Sequence, residues 1–408
     1  MKKFSFLLLM LFCTTIFSQD VKHRLPFYFN YIVVPQGNVN ECIIVYKIPY
    51  NRLVFVKDKN AYTTGVSLSF EIKKDSVIER VFDERIVSTK SYNNTLSSKL
   101  FLEGIAKVRL KEGTYKILPS IELHNTNISA PFREVDIKIE RDENNFVKPF
   151  VVSSEKYFCD NQEVYILQNF RGNISFSNNS QKLLLPVQNI SPEELKVTIS
   201  RDKKEIFTSK IKKSYKGRVD LSVCDNKVVI SKDTLGTTTF YELPDFSKKI
   251  PEGLFEIKIE ADTISKTFKM ESEWIDKPRS VRNMTLAVKV LEIIGEEDNF
   301  DDNYDDNYND LVKFWKKYDP TPDTEFNELM DEFYTRVDYC VKKFSTLKAF
   351  NGAFTDRGEM YIKYGEPDIV DRNYNKRNEI IETWTYKEQN QIFMFKDVSG
   401  TGDFKLIK

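Results

Sequence analysis

At 408 residues the chain is long enough for two to four domains with sizeable cores. Its 61 Lys and Arg balance 61 Asp and Glu, so no net field would recruit nucleic acid or an acidic membrane. Hydrophobic residues at 41% and charged ones at 30% exclude overall disorder, and 31 Phe with 20 Tyr point to aromatic-rich sheet cores.

The N-terminus reads as a targeting signal. Lys2 and Lys3 precede an apolar run from Phe4 to Phe12, followed by Ile16, Phe17 and Ser18. That run is too short to span a bilayer, and its order fits a secretory signal peptide over residues 1–18, cleaved after Ser18. Cys13 raises lipidation, but the bulky Phe12 before it fits a lipidation site poorly. No later segment offers about 18 uninterrupted apolar residues, so no transmembrane segment is expected. The mature chain is expected in the periplasm, on the cell surface or secreted.

From Phe27 to about Glu140, segments such as YFNYIVV, CIIVYKI, GVSLSFEIKK and TYKILPSIEL alternate with period two and are rich in β-branched and aromatic residues. Short strands without intervening helices predict an immunoglobulin-like β-sandwich over 19–145. Pro49, Pro119 and Pro131 are expected at strand ends or sheet edges. A second such sandwich is predicted over 146–276 from VYILQNF, KLLLPV, LKVTIS, TTTFYEL and FEIKIEA. LKEGTYKILPSIEL and IPEGLFEIKIEA share a Glu-Gly turn into an alternating strand, a hint of duplication. Cys42 and Cys340 sit in apolar patterns and read as buried small hydrophobes. Cys159 and Cys224 each open a Cys-Asp-Asn turn, which makes them the candidate disulfide.

Past Trp274 the pattern becomes helical, and residues 277–408 are predicted as an α+β domain. Ser280 is positioned to cap a helix with the stripe Met284, Ala287, Val288, Leu291 and Ile294, ending near Gly295. The acidic stretch over 295–310 fails as a calcium loop: with Asp301 first, Asp306 stands where glycine is needed and Val312 where glutamate is needed. It reads as a solvated linker. LVKFWKKY resumes the helices. Asp323 or Thr324 is then expected to cap a helix from about Glu325 to Phe344, with Phe326, Leu329, Met330, Phe333, Val337, Cys340, Val341 and Phe344 on its apolar face. The remainder reads as a small antiparallel sheet: EMYIKY, EIIETWTY, QIFMFKD and DFKLIK.

The region from Phe314 onward resembles the GWxTD domain of exported proteins from Bacteroidota and related bacteria. The resemblance rests on Phe314-Trp315, Asp319-Pro320, Asn327-Glu328, Arg336-Val337, Gly352, Thr355-Asp356-Arg357-Gly358, Tyr364-Gly365-Glu366-Pro367-Asp368, Trp384-Thr385-Tyr386, Phe395, Asp397 and Phe404. The eponymous tryptophan falls on Ala353, and the bulk shifts to Phe354. If that tryptophan stacks on a ligand, the contact is lost or moved here; if it packs, Phe354 is the candidate to fill the space. The resemblance implies an address and an architecture without a reaction.

Enzyme readings lack their parts. The histidines are His23, beside the cleavage site, and His124, at a strand end. There is no Gly-x-Ser-x-Gly elbow, His-Glu-x-x-His, Cys-x-x-Cys pair or phosphate loop, so no metal or cofactor is expected. Asp356 and Asp368 flank the expected EMYIKY strand and would be the carboxylate pair of a hydrolase. The structural alternative has each bond to backbone N–H groups of its own turn, with Arg357 paired to Glu328 or Glu332. Trp384 and Tyr386 share a sheet face with Glu382, as core packing or as a sugar platform. Asp75-Ser76-Val77, Asp233-Thr234-Leu235 and Asp262-Thr263-Ile264 resemble short O-glycosylation sites of the same bacteria. The leading expectation is a non-enzymatic envelope protein that engages another envelope protein or peptide. A carbohydrate or peptidoglycan binder and a carboxylate-dependent hydrolase are the alternatives.

Overall fold

The computed structural model describes residues 28–36, 39–126, 128–140, 146–170, 173–232, 234–262, 264–296, 308–397 and 399–408. The signal segment, Cys13, His23, Asp233, Thr263 and most of the acidic linker lie outside them.

In the first unit the strands are β1 (Tyr28–Gln36), β2 (Val39–Pro49), β3 (Val56–Asp58), β4 (Ala61–Lys73), β5 (Val77–Thr89), β6 (Phe101–Leu110), β7 (Gly113–Leu123), β8 (Ser129–Pro131) and β9 (Val135–Ile139), with a short helix α1 (Tyr92–Thr95) before β6. Strands β1, β2 and β6 form one sheet; β3, β4, β5, β7, β8 and β9 form another. Cys42, Ile44, Tyr46 and Ile48 on one face of β2 meet Val66, Leu68, Phe70 and Ile72 of β4 in a common core. The opposite face of β2 is also buried, because Ile43 and Val45 pack on Phe150, Leu184 and Phe240 of the next unit. This double burial explains why ECIIVYKI is a continuous apolar run and does not alternate. It also gives the chain on either side of residue 145 a shared core. Pro49 and Pro131 end their strands. Pro119 lies inside β7, contrary to the edge expectation, at the break between its two partners: β9 pairs with Gly113–Ile117 and β8 with Ser120–Glu122. A missing N–H is tolerated at such a break.

The second unit contains β10 (Phe150–Ser153), β11 (Tyr157–Cys159), β12 (Gln162–Ile166), β13 (Asn173–Ser175), β14 (Gln181–Val187), β15 (Glu194–Arg201), β16 (Lys204–Gly217), β17 (Leu221–Cys224), β18 (Lys227–Ser231), β19 (Thr238–Leu243), β20 (Gly253–Ala261) and β21 (Ile264–Glu273). Eight of them make one sheet, in the order β10-β14-β19-β16-β15-β20-β21-β13. The other four form the sheet β11-β12-β18-β17. Its two hairpins turn at Asp160-Asn161 and Asp225-Asn226, all at positive φ, the conformation tight hairpin turns require. A disulfide between Cys159 and Cys224, Cα–Cα 6.1 Å, joins the outer strands β11 and β17. The β17–β18 turn also reaches into the first unit: the Asn226 side-chain amide donates to the Phe101 carbonyl at 2.6 Å, and Glu103 accepts from the Val228 amide at 2.7 Å.

The C-terminal unit holds α2 (Arg279–Arg282), α3 (Met284–Lys289), α4 (Tyr308–Lys316), α5 (Glu328–Lys343) and α6 (Asp356–Tyr364), then the sheet β22 (Ile369–Tyr374), β23 (Ile380–Tyr386), β24 (Gln391–Asp397) and β25 (Lys405–Leu406). Three expectations need correction. Ser280 lies within α2, and Asn283 caps α3 by accepting from the Leu286 amide. The chain then tightens to a 3-10 turn over Val290–Ile294, which buries Val290, Leu291 and Ile293 and turns Ile294 outward. For α5 the cap is Asn327, which accepts from the Met330 amide at 2.8 Å; the Thr324 hydroxyl is occupied by the Thr321 turn. EMYIKY is helical, within α6. Beside its period-two alternation, Tyr361–Tyr364 and Met360–Tyr364 stand at the i,i+3 and i,i+4 spacings of a helix, and the Thr355 cap decides between the two.

Loss of the disulfide opens a loop of 65 residues, so a Cys159→Ser/Cys224→Ser chain is expected to lose up to about 4 kcal/mol. Urea unfolding of oxidised wild type and double variant measures this difference, and the reduced wild type should match the variant.

Candidate functional site

The signature segment begins at the end of α5. Asn351 caps a 3-10 turn over Gly352–Phe354 by accepting from the Ala353 amide at 3.0 Å. Thr355 then caps α6: its hydroxyl accepts from the Gly358 amide at 3.1 Å and donates to the Gly352 carbonyl at 2.8 Å. Gly352 and Gly358 are where this corner closes. A Cβ on Gly352 would stand 2.1 Å from the Cys340 carbonyl oxygen, and one on Gly358 would stand 2.0 Å from the Gly352 carbonyl oxygen. Three backbone segments therefore touch without side chains between them. Ala353 has no exposed surface, so the position of the eponymous tryptophan points into the core and not toward a ligand. Phe354 packs half-buried on the same core, under the Lys289 ammonium at 5.1 Å.

Asp356 and Asp368 do not form a pair, and neither bonds within its own turn. The Asp356 carboxylate accepts from the Leu406 amide at 2.7 Å and faces Lys405 at 3.5 Å, tying α6 to the last strand. Asp368 accepts from the Lys387 amide at 2.7 Å, joining the ends of β22 and β23. Between them Gly365 ends α6 with its amide on the Tyr361 carbonyl. Pro367 follows, half-buried, and Tyr364 packs on Tyr386 and Phe393.

Arg357 does not pair with Glu328 or Glu332. Its guanidinium bonds Glu382 on β23 at 3.3 Å and the Gly402 carbonyl at 3.2 Å, and it lies 3.9 Å over the Phe404 ring. Glu382 is 3% exposed and also accepts from Arg372 at 3.0 Å and from the Trp384 indole N–H at 2.9 Å. Burial alone would raise the Glu382 pKa. The hydrogen bonds from Arg372, the charge of Arg357 and the Trp384 bond outweigh it and hold the carboxyl below its ordinary range. Burial also lowers the Arg357 pKa, against the pull of Glu382. A salt bridge this enclosed adds little net stability as a pair but is costly to break on one side.

Glu328 instead accepts from the Thr321 hydroxyl at 2.7 Å. Arg336 pairs with Glu332 one turn away and donates to the Ile362 carbonyl at 3.1 Å, capping the C-terminal end of α6. Trp384 and Tyr386 lie on one face, as their alternation predicts, and are 3% and 1% exposed. Neither offers a ring to a sugar, and the Tyr386 hydroxyl is spent on the Gly365 carbonyl at 2.9 Å. Cys340 is buried against α6, and that burial pushes its thiol up to about 12, which leaves it inert as a nucleophile.

Two hollows adjoin this corner. One, of about 340 Å³, is lined by apolar side chains including Trp315, Leu329, Phe333 and Ile362, with Glu332 and Arg336 also in its wall. The other, about 510 Å³, lies beside Leu347, Phe350 and Gly402, and of the Thr355-Asp356-Arg357 triplet only Arg357 touches it. Far from the corner, His124 hydrogen-bonds the Ser67 hydroxyl at 2.9 Å, with Glu84 at 3.7 Å. Both approach the same ring nitrogen, Nε2. A serine triad needs them on opposite nitrogens, so this set is no relay. Ser76 lies exposed in the turn before β5.

The unit's core extends upstream of the helices. Phe176 and Trp274 of the second unit meet Phe326 edge to face, at 5.3 and 5.5 Å between centroids. Residues 257–406 match the family model of the GWxTD domain. The chain carries a GWxTD domain. The match starts inside β20, ahead of the boundary at 277 and of Phe314, in keeping with the place of Trp274 in this core. No curated protein matches the chain.

Gly358→Ala is expected to destabilise the GWxTD domain by about 3 kcal/mol or more, since the added methyl meets backbone that cannot swing aside. Asn at Gly295, a left-handed position with open space around it, should cost under about 1 kcal/mol. Thermal unfolding of the two variants side by side checks the contrast.

Proposed function

We propose that the chain is an exported, non-enzymatic envelope protein whose GWxTD domain docks an extended segment of a partner protein along β22. The observation that carries this reading is the state of that strand. All six residues of β22 are exposed, including Ile369, Val370 and Tyr374 at 40%, 53% and 67%. Among the described residues β22 pairs with β23 alone, so one row of its backbone N–H and C=O groups is open to a further strand. By register Val370 faces Trp384 and Arg372 faces Glu382. Val370, Arg372 and Tyr374 thus continue the buried face of β23 beyond its helical cover, as a shelf with two apolar side chains around one cation. An extended peptide would gain main-chain bonds from the edge and specificity from that shelf.

The signature side chains support a non-catalytic role because their polar atoms are committed to other parts of the same domain: Thr355 to Gly352 and Gly358, Asp356 to β25, Arg357 to Glu382. Upstream, the paired sheets act as immunoglobulin-like sandwich modules that space the domain from its attachment. The signal segment supplies export to the periplasm or cell surface.

A photoreactive phenylalanine analogue at position 374, irradiated in native envelope, tests the docking strand. Cross-links are expected to concentrate on one extended segment of one envelope protein and to fall at least tenfold when Val370 is replaced by Glu. Cross-links scattered over many proteins, or indifferent to Val370→Glu, would contradict the reading.

A further inference from the structure

The 13-residue strand β5 pairs with β4 alone among the described residues, and β6 lies along its other side, where the Ile105 amide bonds Asp83, so the part of β5 left open is its outward face. Its inward residues are engaged by the first unit, where Asp83 accepts from the Tyr46 hydroxyl at 2.6 Å. Its outward row is Ile78, Arg80, Phe82, Glu84 and Ile86. Ile78, Phe82 and Ile86 are 49%, 71% and 62% exposed. Three large apolar side chains in one row on an uncovered sheet face are a standing invitation to association unless something covers them.

The order of that row says what covers it. Read outward from Phe82, isoleucine answers isoleucine, and Arg80 on one side answers Glu84 on the other. Such a row is self-complementary when two copies pack face to face with β5 antiparallel. Ile78 then meets Ile86 of the partner subunit, Arg80 meets Glu84 of the partner subunit, and the two Phe82 rings meet on the two-fold axis. No pair in this alignment brings like charges together. Shifting this row by two residues would set charge against isoleucine or phenylalanine, so the register is specified as well as the direction. Arg80 already bonds Glu71 within the chain, at 2.8 Å from its second amino group, which aligns its guanidinium on the outer face. The buried Nε of Arg85 has no hydrogen-bond partner.

We infer that two copies of this chain associate through β5, antiparallel, about a two-fold axis at Phe82. The contact is isologous: each Arg80–Glu84 pair occurs twice, so one charge reversal is felt twice. It is independent of the docking strand β22, which belongs to another sheet.

Charge reversal tests the symmetry directly. Analytical ultracentrifugation of the mature chain between about 1 and about 200 µM is expected to show a reversible monomer–dimer equilibrium. Arg80→Glu places glutamates opposite glutamates, and Glu84→Arg places arginines opposite arginines. Each is expected to weaken the dimer at least tenfold, because like charges brought together at an interface repel strongly. An equimolar mixture of the two variants should associate again, since one copy then presents two acids and the other two bases. Circular dichroism and unfolding midpoints establish that both variants are folded, and Phe82→Ser, on the surface, removes the central contact without touching a charge. A monomer at every concentration, a dimer unmoved by either reversal, or a mixture that stays apart would overturn the inference.

Discussion

Glu382 is a carboxylate set in the interior of the GWxTD domain, and the domain's elements converge on it. Helix α6 sends Arg357, β22 sends Arg372, and β23 supplies the Trp384 indole N–H. An ionised group so enclosed is tolerable only when its lone pairs are filled. Each donor must therefore be where it is, and that fixes the angle of α6 to the sheet, the register of β22 on β23 and the rotamer of Trp384. Arg357 also spans to the Gly402 carbonyl and covers Phe404, so the same contact draws in the last turn of the chain.

The small residues of the signature serve that geometry from the other side. Gly352 and Gly358 bring three stretches of backbone into contact, and Thr355 holds two of them with one hydroxyl. Asp356 completes the corner by holding β25. The signature thus describes how a helix is started, pressed against its neighbours and tied to a sheet. Ala353 fits the same account: at this position a side chain lies in the core, so exchanging a large ring for a methyl alters packing and not access to a ligand.

Much of the fold was legible because burial leaves periodic marks. The helix face running from Met330 through Cys340 and the alternation of Glu382, Trp384 and Tyr386 were plain in the residues. Failures occurred where two periods overlap or where burial leaves no mark. The Met360, Ile362, Tyr364 spacing reads as a strand, and only the Thr355 cap reveals a helix. β22 was missed because it is exposed on both faces and so has no apolar rhythm. The partner of Arg357 was sought on α5, yet the signal lay in β23: a glutamate occupying the inward register of an aromatic strand needs a buried cation. The shared core of the first two units was foreshadowed by the unbroken apolar run of β2, which a strand covered on one face does not require.

If Arg357 and Glu382 hold the corner together, their energies must be coupled. A double-mutant cycle with Arg357→Met, Glu382→Met and the combined change, read by urea unfolding of the full chain, measures this directly. Each single change should cost about 3 to 5 kcal/mol by stranding the remaining buried charge. The combined variant should recover at least about 2 kcal/mol of the summed loss. Losses that simply add to within about 0.5 kcal/mol would contradict the claim that this pair governs the domain.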